Sequence, residues 1–116
     1  MYLRLVRLRL RSGSLWDFRE YYEARILPAL AATPGCLYAA LLQPLAKTAG
    51  EDCDSLTLWE GVAAADAYVE SGLYDELLDG ADDFLANATE WKADLSPLLP
   101  GDRAPLRLLS AATRDF

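Results

Sequence analysis

The sequence predicts an α+β domain of the ferredoxin-like kind, a split βαβ arrangement in which helices cover one face of an antiparallel sheet. Three observations lead there. The 116 residues suit one compact domain, residues 1–116, and 53% of them are hydrophobic against 25% charged, the balance of a globular chain. Segments that alternate with period two are interleaved with segments of helical period, in the order strand, helix, strand, strand, helix, strand. The first strand carries apolar and charged residues on both of its faces, so one can meet helices and the other a partner or a pocket.

Tyr2 to Arg11 alternates as a half-buried strand does, with Tyr2, Val6, Leu8 and Leu10 in phase with Arg4, and Leu3 and Leu5 in phase with Arg7, Arg9 and Arg11. Ser12-Gly13-Ser14 breaks it. Ser14 suits a helix N-cap, and Asp17 three residues on suggests a capping box. Leu15, Phe18, Tyr22, Ile26, Ala29 and Leu30 then form an apolar helical stripe. Pro28 lies inside it and should bend it, and Thr33-Pro34-Gly35 ends it. Cys36 to Leu45 and Ser55 to Glu60 read as two strands of a hairpin, joined by a polar loop over Ala46 to Asp54. Val62 to Glu70 is a short Ala-rich helix. After Gly72, the residues Tyr74, Leu77, Leu78, Ala81, Leu85 and Ala88 predict a second helical stripe reaching Glu90, with Asp79, Asp82 and Asp83 on its solvated side. Ser96 to Pro105 reads as a Pro/Gly loop, and Leu106 to Ala112 as the fourth strand.

Composition removes whole classes of function. A formal charge of −7 argues against a phosphate backbone as partner. No apolar run approaches the roughly 20 residues of a membrane span, and the opening strand is too charged for a signal-peptide core. Cys36 and Cys53 are too few for a secreted disulfide scaffold, so they are expected to be reduced, inert and cytoplasmic. Histidine is absent, which removes Ser-His-Asp triads, Cys-His dyads and His-ligated zinc or haem. Any chemistry falls to carboxylates, Tyr, Arg, Lys, Cys or a reactive substrate.

Two segments carry a family resemblance: ILPALAATPGC over Ile26 to Cys36, and SLTLWEGVAAADAYVESGLYDELL over Ser55 to Leu78. A helix closing on Pro-Gly-Cys, then a hairpin, a strand ending in Trp-Glu, and Ala and Tyr before a small-residue break resembles the antibiotic biosynthesis monooxygenase family of the dimeric α/β-barrel superfamily. The resemblance covers the first 80 to 90 residues, and residues 92–116 match loosely. It implies a homodimer whose two sheets pack into a barrel, with a pocket in each subunit between sheet and helices. It also implies oxidation of a small aromatic or quinol-like compound with neither metal nor flavin as cofactor. The haem-degrading branch is not matched. The first strand has no Asn, and aligning on Trp59 and Glu60 puts Tyr68 where that branch has Trp and Leu78 where it has His.

Cofactor-free oxygenation needs a dry pocket, a proton acceptor and a stabilised substrate anion. The residues suited to this are Trp59, Tyr68 and Tyr74 as catalytic groups, and Tyr22, Tyr38, Phe18 and Arg7 against the substrate, with Arg4 or Arg9 as further partners for the anion. Each also has a plainer reading. Trp59 can be a packing residue at a strand end, Tyr68 and Tyr74 can close the helix pair over the core, and the strand-one arginines can pair with acids. The alternative function is therefore a non-catalytic dimeric module that binds a small hydrophobic molecule or serves as a structural partner. Trp16 falls off the helical stripe and hints at an interface.

Overall fold

The computed structural model describes residues 1–43, 52–95 and 108–116. Strand β1 (Tyr2–Leu10) leads into a continuous helical arm made of α1 (Leu15–Tyr21), a π-helical turn over Tyr22–Ile26, and α2 (Leu27–Ala31). Strands β2 (Cys36–Leu42) and β3 (Cys53–Trp59) follow, then helices α3 (Val62–Glu70) and α4 (Leu73–Asp79), and finally β4 (Leu85–Asp94) and β5 (Leu109–Asp115). The sheet order is β2-β3-β1-β4-β5, and every neighbouring pair is antiparallel. With β5 set aside, this is the ferredoxin-like order the sequence predicts.

The sheet has two unlike faces. Tyr2, Arg4, Val6, Leu8 and Leu10 of β1 are buried under the helices with Cys53, Thr57 and Trp59 of β3. Phe18, Tyr22, Ile26 and Leu30 fill the facing side of the helical arm, and Ala65, Tyr68, Leu77 and Leu78 that of α3 and α4. Leu3, Leu5, Leu56, Leu58 and Trp91 point to the opposite face and are only half buried, while Tyr38 and Leu42 on the same face are exposed. At one end of that face Arg7 stands opposite Asp54 and bonds it at 3.1 Å.

Pro28 sits at the start of α2, directly after a π-helical turn. It has no N–H to give the preceding turn, and the helix meets it through the π-helical turn just upstream instead of breaking. Gly35 allows the tight turn into β2. Its φ is +82°, and a Cβ there would collide with that of Ala64 on α3. Ser14 does occupy the N-cap position and its carbonyl accepts the Phe18 N–H at 2.9 Å, but its side chain makes no capping bond, so the capping box is not formed.

The second helical stripe is corrected. It ends at Asp79, and Leu85 to Glu90, expected to continue it, belongs to the strand Leu85–Asp94 paired with β1. That strand completes the βαββαβ unit, and the C-terminal strand, at Leu109–Asp115, is a fifth one added to its outer edge. The polar loop is shorter at its end than expected, because Cys53 and Asp54 belong to β3. Ala46 to Glu51 of that loop, the last residues of the expected second strand, the Ser96 to Pro105 loop and the start of the expected fourth strand lie outside the described residues.

Candidate functional site

The sheet delivers two polar rungs to its covered face, and the helices close over them with aromatic rings. Between them is a small cavity of about 30 Å³, room for about one water molecule. Its base is Arg4, Ser55 and Thr57, and its aromatic walls are Phe18, Tyr22, Tyr68 and Tyr74. Aliphatic side chains, Leu30 and Leu77 among them, complete it.

Arg4 is the unusual member. It is 2% exposed and ion-paired with Glu90 of β4 through Nη2. Its guanidinium carbon lies 4.5 Å from the ring centroid of Tyr74 and 5.5 Å from that of Tyr68, so two ring faces stabilise the charge. Its Nε–H is buried and has no hydrogen-bond partner among the described residues.

The rings are fixed by one another. Tyr68 stacks on Trp59 at 4.9 Å between centroids and meets Tyr74 edge-on at 6.0 Å. The Trp59 indole N–H donates to Thr57 Oγ1 at 2.8 Å. Tyr22 and Ser55 share a hydroxyl hydrogen bond of 2.9 Å. Trp59 is fully buried, sits behind Tyr68 and does not line the cavity.

Of the residues expected at a site, the structure thus brings Phe18, Tyr22, Tyr68 and Tyr74 onto one cavity, with Trp59 behind Tyr68. Arg7 and Tyr38 are elsewhere. Both lie on the open face, Arg7 bound to Asp54 and Tyr38 at 55% exposure. Arg9 pairs with Asp52 at 3.9 Å and is equally remote. The sequence did carry a signal for Arg4 over Arg7, since Arg4 is the one charge in an otherwise apolar phase of β1. Nothing local marked Glu90, because its partner is 86 residues away. Trp16 is 66% exposed on α1.

Burial pushes the Tyr68 hydroxyl well above the ordinary tyrosine range and that of Tyr74 up to about 12, against an opposing pull from Arg4. Burial also raises Tyr22, while its bond to Ser55 lowers it. These hydroxyls are therefore neutral hydrogen-bonding groups and not bases at ordinary pH. Burial raises both thiols, that of Cys53 to about 12 with help from Asp54 and Asp52, which makes them poor nucleophiles.

A stability prediction follows. Above pH 10, the reference value for tyrosine, the unfolded chain loses protons that buried Tyr68 and Tyr74 retain. Stability is therefore lost as pH rises, by about 1.4 kcal/mol per unit for each such tyrosine. Tyr74→Phe removes one of them, so its urea midpoint should fall less steeply than that of the wild type between pH 10 and 12. Equal slopes would show that Tyr74 is not buried as described.

A wider groove lies on the other side of Tyr68. It is about 460 Å³ and runs between α2 and α3, along Ala29, Ala32, Ala64, Ala67 and Ser71. Tyr68 lines both spaces and is the partition between them. Among the described residues, no helix is long and apolar enough to cross a membrane.

No family model matches the chain, and no curated protein matches it in sequence. Solved structures do match. A variant of SnoaB, a cofactor-independent oxygenase from Streptomyces nogalater, superposes with a TM-score of 0.68 at 14% identity, covering 85% of this chain and 96% of its own. A protein described as an antibiotic biosynthesis monooxygenase gives 0.66 at 14%, covering 81% and 97%. A variant of MhuD, with two manganese protoporphyrin IX molecules bound per active site, gives 0.63 at 17%, covering 87% and 100%. At these identities the likeness is one of architecture, and the chain has the ferredoxin-like fold of the antibiotic biosynthesis monooxygenases.

Proposed function

We propose that the protein is a cofactor-independent monooxygenase acting on a small aromatic or quinol-like compound held between the sheet and the helices. The observation that carries this reading is the tyrosine-walled cavity with a polar base, built on a fold shared with a cofactor-independent oxygenase. A cavity of about 30 Å³ is too small for an aromatic ring, and the adjoining groove of about 460 Å³ is large enough. Substrate therefore enters by the groove, and the Tyr68 ring turns aside to join the two spaces.

The chemistry then belongs to the substrate. An anthrone or naphthol loses a proton to water in the groove, and its anion gives an electron to dioxygen. Radical and superoxide combine to form a C–O bond. Once protonated, the hydroperoxide loses water as the C=O bond forms, so one oxygen atom ends in the product and the other in water. Tyr68 and Tyr74 are the hydroxyls placed to hydrogen-bond the oxygens, while Phe18 and Tyr22 pack the ring and exclude water. Trp59 holds Tyr68 in place. Haem degradation is not favoured, because the chain has no histidine to serve as axial ligand and the resemblance puts Leu78 at that position.

The small cavity favours a second reading, a dimeric module that binds a hydrophobic molecule in the groove without chemistry. Dioxygen uptake separates the two. The purified protein with a chelator should consume dioxygen with at least one of a panel of anthrones, naphthols and hydroquinones, well above the protein-free rate. Binding of these compounds without uptake would select the module.

The partner we propose is a second copy of the chain, in the cytoplasm where Cys36 and Cys53 stay free thiols. Leu3, Leu5, Leu56, Leu58 and Trp91 make an apolar sheet face that the helices do not cover. Light scattering at micromolar concentration should give twice the chain mass of 12.8 kDa, and Leu58→Glu should halve it. A wild-type mass of one chain would rule out the barrel.

A further inference from the structure

Arg4 poses a question that packing does not answer. A charged side chain is kept 98% from solvent if paired and hydrogen-bonded, yet its Nε–H has no partner among the described residues (relative exposure 2%). The same residue forms the base of the tyrosine-walled cavity. Glu90 balances its charge and holds one end of the guanidinium, and Tyr74 and Tyr68 hold its faces. The Nε–H is thus a buried donor held in place at the cavity, with no acceptor among the described residues.

We propose that Arg4 receives the acidic oxygen of the ligand, so that the site binds hydroxylated aromatic rings and holds them as the oxyanion. This rests on the reading of the cavity as a substrate site and names its substrate class: an aromatic ring bearing an ionisable hydroxyl. Aromatic hydrocarbons and ethers of the same shape lack the oxygen that can accept from Nε and then carry charge. Arg4 touches the ligand. Glu90 acts through Arg4 and is a positioning residue. Its carboxylate also offsets the guanidinium charge, so it weakens the pull on the ligand while it orients the donor. The other titratable groups of the site are Tyr22, Tyr68 and Tyr74, with Lys92 paired to Arg4 across the sheet, Cys36 acting on Tyr68, and Asp75 and Arg114 acting on Tyr74.

The two members of the pair therefore have opposite signatures, which a merely structural ion pair would not show. The probe is 1-naphthol, whose absorption and emission differ between phenol and phenolate, titrated without dioxygen. Bound to the wild type it should ionise about 1–3 pH units below its free value, the range for an acid beside a fixed cation. Glu90→Gln should lower that pH further, and Arg4→Met should return it to the free value or above. Arg4→Lys, which keeps the charge, covers the case in which Arg4→Met does not fold, and should retain part of the shift. The methyl ether of the naphthol should bind at least tenfold more weakly to the wild type and no more weakly to Arg4→Met. Naphthol that ionises at its free value in the wild type, a shift that Glu90→Gln removes, or no binding of naphthol at all would overturn the proposal. An ionisation shift without dioxygen uptake on any substrate would sink the oxygenase reading and leave Arg4 in its role. Uptake without a shift would do the reverse.

Discussion

Trp59→Ala should destabilise the fold by about 3–5 kcal/mol, the cost of emptying a large buried aromatic site. Trp59 is fully buried, stacks on Tyr68 at 4.9 Å and donates to Thr57 at 2.8 Å. The loss has three parts: buried apolar area, the stack, and a hydrogen bond whose acceptor on Thr57 stays buried. Urea unfolding of the two proteins measures it. Trp59→Phe keeps a ring against Tyr68 and loses only the N–H, so its cost should be about 1–3 kcal/mol. Because Trp59 does not line the cavity, dioxygen uptake per folded Trp59→Phe molecule should stay within a few-fold of the wild type. A hundredfold loss in that folded variant would mean that the indole touches the substrate.

Arg4→Met should cost about as much for a different reason. It leaves Glu90, whose side chain is only 13% exposed, as a charge with its cation removed. Breaking such a pair on one side costs about 3–5 kcal/mol, whereas replacing both members with apolar groups is often neutral or stabilising. Arg4→Met combined with Glu90→Leu should therefore recover most of the stability lost in Arg4→Met alone. The double variant, stable but without its cation, should turn over no substrate. If the double variant were as unstable as the single one, Arg4 would be holding the fold through its contacts with Tyr68 and Tyr74 and not through its charge.

The same ion pair explains what was and was not legible in the sequence. Period-two and period-3.6 patterns located β1, the helical arm and α3, because each of those elements buries one mainly apolar face. They failed at β4. Its residues Glu90, Lys92 and Asp94 stand on the side of β1's Arg4, where an apolar series is expected of a strand under helices. Charge on the covered side reads as solvent in a sequence, Glu90 and Lys92 being half-buried and Asp94 exposed, and a register shift beside Leu85 breaks the alternation further. Leu85 and Ala88 are then left as apparent members of a helical stripe. The tyrosines of the site were legible as large amphipathic residues on helical stripes. Which phase of β1 faces the helices was marked only by the single charge, Arg4, in an otherwise apolar series, and Arg7 and Tyr38, expected beside the substrate, stand on the other face. The partner of a strand charge is set by topology, and neither Glu90 nor Asp54 is near its arginine in the chain.

On the proposed reading the ligand sits inside, between β1 and the tyrosines, with its oxygen on Arg4. The most direct measurement is a crystal structure of the protein soaked anaerobically with 1-naphthol. The account predicts the naphthol in the joined cavity and groove, its oxygen within hydrogen-bond distance of Arg4 Nε, and the Tyr68 ring turned from its stack on Trp59. Naphthol bound only on the open sheet face, or in the groove with Tyr68 unmoved and Arg4 Nε untouched, would contradict it.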